Sequence, residues 1–545
     1  MTDLVEAPFS QDDHTQQELV LVLAWSVEHQ ERIGEVMVCP EGEAQLLGRS
    51  SSKSKGHSEG PPMGVWQRQR PGASEATGPL EDRRLSRRQL VVERQGEALQ
   101  VTNIGRCPML YRGIEMGSCT LKPGEAVILQ HVAVLLCAVR PSGWDGPWPQ
   151  GPQPDTSFPF GQADAQGIVG ESPACWALRR QLMFMAQRRQ HVLLLGASGT
   201  GKELAARAVH ALSERSEQAW VARNASTIPE NLFDAELFGN TRGYPNPGMP
   251  ERAGLVGEAD RGTLFLDELG ELPEALQAHL LRLMDRGGEY HRLGEARPRR
   301  ADVRLLGATN RSEENLKHDL LARFAMRLNL PTLNARREDV PLLAIHMLQR
   351  AAAKDPGLVP LIFNAHQERL YPRLTPELVQ GLLLHRYTHH AHELDTLLWS
   401  SITAVVSNPA DHADRQGRVW LHLTEPLRQQ LASSDHAAAH DLEMPTQDEP
   451  DGSASPHSGT TSEAQSVLSD ELLAPDSSAA SSTEALSSAG VLLVSQDGRA
   501  FRLPSGESAS RPPSNRRPRG YRRPHFGDAP QDVVGYDAGH GVGPS

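Results

Sequence analysis

The sequence predicts a multidomain protein with an N-terminal β-sandwich, a central α/β domain built on a parallel sheet, a small all-helical lid and a disordered C-terminal tail. Three observations predict this fold class. Residues 18–141 alternate short apolar segments with Gly, Pro and Asn turns and keep no 3.6-residue period. From residue 166 to about 340, apolar strands alternate with helical patterns, which is typical of a parallel sheet. Residues 433–489 are rich in Ser, Ala, Asp and Glu and hold too little apolar surface to form a core.

Changes in composition set the predicted domain boundaries. Residues 50–82 interrupt the sandwich with a Ser-, Gly- and Pro-rich insert that is expected to be disordered. Glu338 and Asp339 precede a helical pattern, and acidic side chains suit the N-terminus of a helix. The predicted regions are a sandwich at 18–141, a linker at 142–162, an α/β domain at 163–340, a helical lid at 341–405 and a mostly disordered tail at 406–545, acidic first and then rich in Arg and Pro.

The charge of the chain is concentrated in one place. Its 545 residues include 55 Lys and Arg against 68 Asp and Glu, and 12 of those acids fall within residues 429–498, which contain no Lys or Arg. A uniformly basic nucleic-acid-binding coat is therefore excluded. The longest apolar runs, 19–25 and 132–139, are far shorter than the roughly 20 residues of a membrane span. Five scattered cysteines without metal-ligand spacing favour a reducing compartment, so a cytoplasmic location is expected.

A phosphate-binding loop is predicted at residues 196–202. An apolar run ends in a segment with glycines at 196, 199 and 201 and with Lys202, and a helical pattern follows at once. Glycines let successive backbone N–H groups point at phosphate oxygens, and the lysine adds a positive charge on the β- and γ-phosphates. The alternative is a Gly-rich turn with a fortuitous lysine. Glu203 stands where a Ser or Thr would contact Mg²⁺, so the metal needs another ligand.

Two later strands end in residues that suit nucleotide chemistry. The apolar segment 262–266 ends in Asp267, a candidate Mg²⁺ ligand, and in Glu268, a candidate base that polarises the attacking water. The alternative is a strand followed by a capping acidic pair. A third strand at 303–309 ends in Asn310, which could sense the γ-phosphate or simply close a turn.

These motifs together resemble the AAA+ ATPase domain of bacterial enhancer-binding proteins, the sigma-54-dependent transcriptional activators. The resemblance covers residues 166–340 and includes the segments 224–230, 236–239, 262–273 and 302–311. It implies ATP and Mg²⁺ as cofactors, a homo-oligomeric ring, and slow or normal ATP hydrolysis that remodels a sigma-54 RNA polymerase complex. The nucleotide-binding residues that it implies are Gly196, Ala197, Ser198, Gly199, Thr200, Gly201, Lys202, Glu203 and His392. The catalytic residues that it implies are Glu268, Asn224 (which would restrain it), Asn310, and the trans-acting Arg323 and Lys317.

The chain departs from this family at four places. The sigma-contacting GAFTGA loop is replaced by 243–250, where Pro245 and Pro247 restrict backbone motion. Lys317 stands in place of the first trans-acting arginine, and His392 in place of the arginine of the lid motif. No helix-turn-helix pattern follows residue 408, so sequence-specific DNA binding is not expected, and the Arg/Pro segment 511–523 suits only non-specific phosphate contacts.

The N-terminal region resembles a forkhead-associated (FHA) domain, a β-sandwich that binds phosphothreonine. The resemblance is carried by Gly48-Arg49 and by the segment 85–90, in which Ser86 and Arg87 occur. It implies that Arg49, Ser86 and Arg87 hold the phosphate of a partner protein. The alternative is a sandwich without a phosphorylated ligand. The predicted function is thus an ATP-dependent regulator of transcription controlled by an FHA domain; the alternative is a nucleotide-gated phosphopeptide-binding signalling protein that does not contact sigma-54.

Overall fold

The computed structural model describes residues 17–49, 60–143 and 153–429 except 286, 312, 314, 315, 367 and 368, together with residues 431, 493–494 and 500–501. The chain forms two compact units, residues 1–448 and 449–545. In the second unit, the described part is a pair of antiparallel strands at Leu493–Val494 and Ala500–Phe501.

The N-terminal region is a sandwich of two antiparallel sheets, with strand orders β5-β4-β2-β1-β12-β11-β8-β9 and β10-β7-β6-β3. Its strands are β1 (Gln17–Ser26), β2 (Val36–Cys39), β3 (Ala44–Leu47), β4 (Trp66–Arg70), β5 (Ala73–Ala76), β6 (Leu90–Gln95), β7 (Ala98–Asn103), β8 (Met109–Tyr111), β9 (Ile114–Glu115), β10 (Ser118–Leu121), β11 (Ala126–Leu129) and β12 (Ala133–Pro141).

The long strand β1 organises the larger sheet. It pairs with β12 along nearly its whole length and with β2 on its other side. Eight of its ten residues are buried because side chains alternate between two faces and both faces are covered. One face packs into the sandwich, and the other, with Val20 and Val22, packs against the lid. The antiparallel β-rich region predicted from the turn pattern is confirmed.

The predicted disorder of residues 50–82 is wrong for its second half. Strands β4 and β5 lie there, and β4 extends the sheet by pairing with β2. Trp66 is fully buried beside Met37, and Arg70 is buried because it is ion-paired. One aromatic anchor and one satisfied charge order a segment whose average composition is polar. Residues 50–59 lie outside the described residues.

The central domain has a five-stranded parallel sheet of order β14-β15-β18-β13-β19, as the alternating pattern predicted. Its elements, in chain order, are α1 (Pro173–Ala186), β13 (Val192–Leu195), α2 (Lys202–Ala211), β14 (Trp220–Asn224), α3 (Phe233–Phe238), α4 (Gly254–Glu258), β15 (Thr263–Asp267), α5 (Glu274–Met284), β16 (Glu289–Tyr290), β17 (Arg299–Arg300), β18 (Arg304–Thr309), α6 (His318–Arg323) and β19 (Met326–Asn329). All residues of β13 and β18 are buried, which explains their unbroken apolar sequences.

The lid contains helices α7 (Val340–Lys354), α8 (Leu358–Ile362), α9 (Pro376–Leu384) and α10 (His390–Ser407), but it is not all-helical as predicted. A hairpin of β20 (Phe363–His366) and β21 (Arg369–Pro372) interrupts the helices. Phe363 is buried, and the Gln349 side chain on α7 donates to the Leu370 carbonyl oxygen at 2.8 Å. These tertiary contacts select the strand conformation in a segment too short to show a period.

Two further expectations differ from the structure. Part of the linker is ordered by contact, because the Phe158 ring lies 5.8 Å from the ring of Trp176. Residues 408–431, assigned to the disordered tail, contribute buried Leu421 and Leu427 to the lid core. The linker residues 144–152 and the rest of the tail, apart from its two short strands, lie outside the described residues. None of the helices in the described part of the chain combines the length and apolar content that a bilayer span requires.

Candidate functional site

Three strand ends meet at one edge of the parallel sheet. The register pairs Leu195 of β13 with Thr309 of β18, and Asn224 of β14 with Asp267 of β15. Because the strands are parallel, their carboxyl ends lie on the same edge, where ligands bind in open α/β sheets. The predicted phosphate loop, the acidic pair and Asn310 all follow these ends directly.

The phosphate loop connects β13 to α2 with three glycines in conformations that favour glycine. Gly196, Gly199 and Gly201 have φ values of +155°, +80° and +93°. The Lys202 ammonium group donates to the carbonyl oxygens of Gly196 and Ala197, at 2.9 and 3.3 Å, and the residue is 7% exposed. The lysine thus lies folded across the loop.

Most of the loop amides have no partner within the described residues. The N–H group of Thr200 donates to Ala197, whereas those of Ser198, Gly199 and Gly201 make no hydrogen bond with the described part of the chain. Helix α2 begins at Lys202 without a side-chain cap. Unpaired N–H groups at the N-terminus of a ten-residue helix, beside a lysine, suit a phosphate chain.

The acidic pair follows β15. The Asp267 carboxylate accepts a hydrogen bond from the Glu268 N–H at 2.9 Å. Glu268 itself has φ +51° and ψ 45°, a left-handed conformation that is unfavourable for a residue with a Cβ and that is concentrated at functional sites. The Asp267 carboxylate fits Mg²⁺, which proteins commonly hold through one or two carboxylates while nucleotide phosphates and water complete the shell.

The neighbouring strand ends differ in how their polar side chains are used. The Asn224 side-chain oxygen accepts from the Ser226 N–H at 2.9 Å and from its hydroxyl at 2.7 Å, so Asn224 caps a turn. At the end of β18, the Gly196 N–H donates to the Thr309 carbonyl oxygen at 3.3 Å. This bond brings exposed Asn310, the next residue, beside the start of the phosphate loop.

The lid contacts the phosphate loop through the turn before α10. The Ala391 N–H donates to the Gly199 carbonyl oxygen at 3.2 Å, and the His392 ring lies next to Gly199. A Cβ at Gly199 would overlap the backbone oxygen of His389. Glu393 holds this turn, because its carboxylate accepts from the N–H groups of Thr388 and His389 at 2.7 and 3.0 Å.

A cleft of about 190 Å³ lies beside the phosphate loop. One wall is formed by residues 167–169 and the other by residues 330–336, and His390 lines it from the lid. Burial lowers the pKa of His390, although Glu393 opposes the shift. Its Nδ1 atom is buried without a hydrogen-bond partner in the described residues, so the cleft is lined by a neutral imidazole.

Three predicted residues lie away from the phosphate loop in this single chain. The Lys317 ammonium group is 3.4 Å from the Glu274 carboxylate, and the Arg323 guanidinium is 2.8 Å from the Asp285 carboxylate. Both arrangements leave the cations partly exposed beside α5. Glu203 pairs with Arg207 at 2.9 Å on the exposed side of α2, so its carboxylate does not line the loop.

Residues 240–252, which include the predicted counterpart of the sigma-contacting loop at 243–250, are held closed by internal hydrogen bonds. The buried Asn240 side-chain nitrogen donates to three carbonyl oxygens within 3.1 Å, those of Thr241, Tyr244 and Pro250. Buried Arg292 donates to the Asn240 and Arg252 carbonyl oxygens at 2.7 and 3.0 Å. No motif in the sequence indicates this role for Asn240 or Arg292.

The residues predicted to bind phosphothreonine lie on two adjacent loops of the sandwich. The Arg49 N–H donates to the Ser86 carbonyl oxygen at 3.0 Å, which joins the loops, and Arg87 is exposed. Fully buried Gln89 accepts from the Ser86 N–H at 3.0 Å and donates to the Asn103 side-chain oxygen at 2.7 Å. The Ser86 hydroxyl accepts from the Arg106 N–H at 2.9 Å.

Comparison with known proteins identifies the central domain. Residues 168–333 match the Sigma-54 interaction domain. This segment contains the phosphate loop, the acidic pair and the strand that ends at Thr309, and it has the fold of AAA+ ATPases. It spans less than a third of the chain, so the match describes this domain and leaves the sandwich and the tail unassigned.

Curated relatives match over 196 to 214 residues. The Nif-specific regulatory protein of Bradyrhizobium diazoefficiens is 41% identical over 35% of this chain and 34% of its own length. Escherichia coli ZraR, a transcriptional regulatory protein, is 41% identical over 37% and 47%. Escherichia coli NtrC, a DNA-binding transcriptional regulator, is 38% identical over 38% and 45%. The chain therefore spans between a third and a half of the length of these relatives.

The solved structures include NtrX from Brucella abortus. Its complex with ATP is 28% identical, with a TM-score of 0.38, over 44% of this chain and 50% of that one. Its complex with ADP is 25% identical, with a TM-score of 0.41, over 51% and 59%.

Proposed function

We propose that the protein is an ATP-dependent regulator of transcription of the sigma-54 activator class. The observation that supports this most strongly is the meeting of three strand ends, which brings the phosphate loop, Asp267, Glu268 and Asn310 to one edge of the sheet. The match of residues 168–333 to the Sigma-54 interaction domain supports the class, and three relatives are named as regulators of transcription or of Nif functions.

Each residue has a separate role in the proposed hydrolysis. The free amides at 198, 199 and 201 and the Lys202 ammonium group bind the phosphates. Asp267 would hold Mg²⁺, which supplies charge neutralisation between the phosphates. Glu268 orients the attacking water and takes its proton. Asn224 and Asn310 flank this acid from the neighbouring strand ends.

The active unit in this proposal is an oligomeric ring. Arg323 and Lys317 are partly exposed, and their pairing partners, Asp285 and Glu274, are exposed acids that can release them. A neighbouring subunit can then receive these cations at its γ-phosphate, as an arginine finger does. Lys317 lacks the planar fork of arginine, so it clamps phosphate less firmly and turnover is slow.

The ATPase rate as a function of protein concentration tests this proposal. Activity per chain should rise steeply with concentration in the wild type, stay near zero in Glu268→Gln, and lose its concentration dependence in Arg323→Ala. Glu274→Gln is a matched control, because it alters the partner of Lys317 without removing a cation. Wild-type turnover equal to that of Glu268→Gln would remove the enzyme activity from the proposal.

A second function is favoured by the closed segment 240–252. Asn240 and Arg292 together satisfy carbonyl groups along it, so it resembles a fixed surface rather than an extending arm. A nucleotide-gated signalling protein that does not contact sigma-54 fits this geometry. A pull-down of sigma-54 holoenzyme with ADP–aluminium fluoride separates the two functions, with Lys202→Ala as the control: capture that depends on Lys202 supports the first, and no capture supports the second.

The sandwich is proposed to bind a phosphothreonine protein through Arg49, Ser86 and Arg87. The support is that a backbone hydrogen bond joins their two loops and that Arg87 is exposed. Fluorescence anisotropy with a phosphothreonine peptide library tests it. Binding should require the phosphate and fall at least about tenfold in Arg87→Ala, since a charge-assisted hydrogen bond is lost; equal binding of unphosphorylated peptides would contradict it.

A further inference from the structure

We propose that Arg70 and Arg140, two buried arginines of the sandwich, are positioning residues of the nucleotide cleft. This inference rests on the proposed function, because it concerns how that cleft holds a nucleotide. Each arginine forms an ion pair with an acid that lies two residues beyond a different wall of the cleft, Glu171 after 167–169 and Glu338 after 330–336. The sandwich therefore sets the separation of the two walls. A change in the position of either arginine changes the affinity of the cleft for nucleotide.

Arg70, at the end of β4, holds the first wall. Its guanidinium forms two bonds to the Glu171 carboxylate, at 2.6 and 3.1 Å, and both side chains are nearly buried. The Glu171 carboxylate also accepts from the Trp176 ring N–H at 3.1 Å and from the Gly161 N–H at 2.8 Å. Residues 167–169 line the cleft, and Glu171 lies two residues further along the chain. The bidentate pair with Arg70 therefore fixes the backbone at the end of this wall.

Arg140, at the end of β12, holds the second wall. Its guanidinium lies 2.9 Å from the Glu338 carboxylate, and Glu338 closely follows the cleft-lining segment 330–336. Two of the Arg140 nitrogen atoms are buried without a partner in the described residues. Arg140 is 2% exposed, and burying a guanidinium with unpaired nitrogen atoms lowers the stability of the fold. The ion pair with Glu338 is therefore not explained by stabilisation alone.

The two walls are also joined directly. The Asp339 carboxylate accepts from the N–H groups of Glu171 and Ser172 at 2.8 and 2.9 Å, and from the Ser172 hydroxyl at 2.6 Å. A displacement of either arginine is therefore passed to both walls at once. The same carboxylate lies one residue before α7, so the displacement also reaches the lid.

The sandwich contacts the lid over an apolar surface as well. Buried residues of β1, β11 and β12 share one continuous core with α7, α9 and α10. The Gln380 side chain on α9 donates to the Ala126 carbonyl oxygen at 3.2 Å. Since the turn before α10 contacts Gly199, contacts run without interruption from the sandwich to the phosphate loop.

The test measures affinity of the full chain for fluorescent N-methylanthraniloyl-ADP. Arg140→Met should weaken binding at least about fivefold, the lower end of coupling between linked sites. In steady-state ATPase assays KM should rise and kcat should change little, because Arg140 does not touch the phosphates. Arg140→Lys should bind within twofold of wild type, since a lysine can keep the ion pair to Glu338. Arg70→Met should weaken binding similarly, and Arg70→Lys should rescue it only in part, because the bidentate geometry is lost.

Two further variants separate positioning from a loss of folding. Arg84→Met is the matched control, because Arg84 pairs with Asp82 inside the sandwich, and it should leave affinity unchanged. The double variant Arg140→Met/Glu338→Gln removes the unpaired buried charge and should recover melting temperature without recovering affinity. If affinity recovers together with melting temperature, or if Arg140→Met binds as wild type does, the positioning role is wrong while the ATPase remains. If the wild type itself does not bind the nucleotide, the proposed function fails.

Discussion

The phosphate loop at 196–202 and the segment 240–252 show opposite uses of the backbone. In the first, the amides of Ser198, Gly199 and Gly201 bond no atom of the part of the chain that the structure describes, and the Lys202 side chain folds across the loop and bonds its carbonyl oxygens. In the second, Asn240 and Arg292 saturate carbonyl groups from inside, and Gly243 donates to Met249 across the segment.

The difference separates a receptor from a closed surface. N–H groups that bond no protein atom, beside a positive charge, can bind an anion without first breaking a protein hydrogen bond, so the phosphate loop suits an anion. The segment 240–252 has several of its carbonyl groups bonded, although Asn240 Oδ1 and Arg292 Nε are buried without a partner among the described residues, and it must break those carbonyl bonds to move. Substitutions in either segment therefore test the comparison.

Lys202→Ala should have the largest effect, a loss of nucleotide affinity of about 100-fold, since one or two charge-assisted contacts to phosphate disappear. Isothermal titration calorimetry with Mg-ATP measures it. Lys317→Ala is the control, because Lys317 lies beside α5 and should leave the affinity of an isolated subunit unchanged. Equal heats from Lys202→Ala and wild type would contradict a phosphate-binding role for the loop.

Gly199→Ala should weaken nucleotide binding about tenfold. Its φ of +80° disfavours a Cβ, and that Cβ would overlap the His389 backbone oxygen, so the lid turn is displaced from the loop. Hydrogen exchange should show faster opening at residues 388–392. Gly243→Ala, at φ +79° with open space around its Cβ, has the same backbone strain without the overlap and should leave affinity intact.

Asn240→Ala should destabilise segment 240–252 locally by about 1–3 kcal/mol, because the carbonyl groups of Thr241, Tyr244 and Pro250 lose their shared donor, a buried side-chain amide. Hydrogen exchange measured by mass spectrometry should accelerate there, while Mg-ATP affinity stays within twofold of wild type. Asn246→Ala, at an exposed tip residue of the same segment, is the control. An affinity loss equal to that of Gly199→Ala would show that the two loops are not independent.

Glu338→Gln should have the smallest effect, a change in how the melting temperature depends on pH. Burial raises the pKa of its carboxyl above the ordinary 4.5, although Arg140 opposes the shift. The folded chain then binds this proton more tightly than the unfolded chain, so the contribution to stability is present below pH 4.5 and is lost as pH rises through the raised pKa. Glu338→Gln should remove that loss, and parallel wild-type and variant melting curves between pH 4.5 and 8 would contradict the assignment.

Much of the fold could be predicted from local patterns. Short apolar segments separated by Gly, Pro and Asn turns predicted the antiparallel region, and apolar strands alternating with helical patterns predicted the parallel sheet. Strand β4 and the hairpin β20–β21 were missed because their order comes from partners distant in sequence: Met37 for Trp66, and α7 for Leu370. Composition averages cannot show such contacts.

In the candidate site too, features that are contiguous in sequence could be predicted, and features that the fold assembles from distant segments could not. The phosphate loop and the acidic pair were found because each is contiguous in sequence and adjoins a strand. The cleft walls were missed because residues 167–169 and 330–336 meet only through the fold, with Asp339 as the tie between them. The lid motif predicted His392. The contacts that His389 and Ala391 make with Gly199 involve backbone atoms, so their side chains could not indicate them.

The apolar core shared by the sandwich and the lid has a practical consequence for dissecting the protein. Val20, Ala126 and Val134 on the sheet are covered by helices that lie more than 200 residues away in the chain. A truncated ATPase fragment, or a chimera with a domain from another protein, would expose this apolar surface to water and would tend to aggregate. Fragments intended for crystallisation or for chimeric activators therefore need polar residues in place of the apolar ones on whichever side of the contact between sandwich and lid they retain.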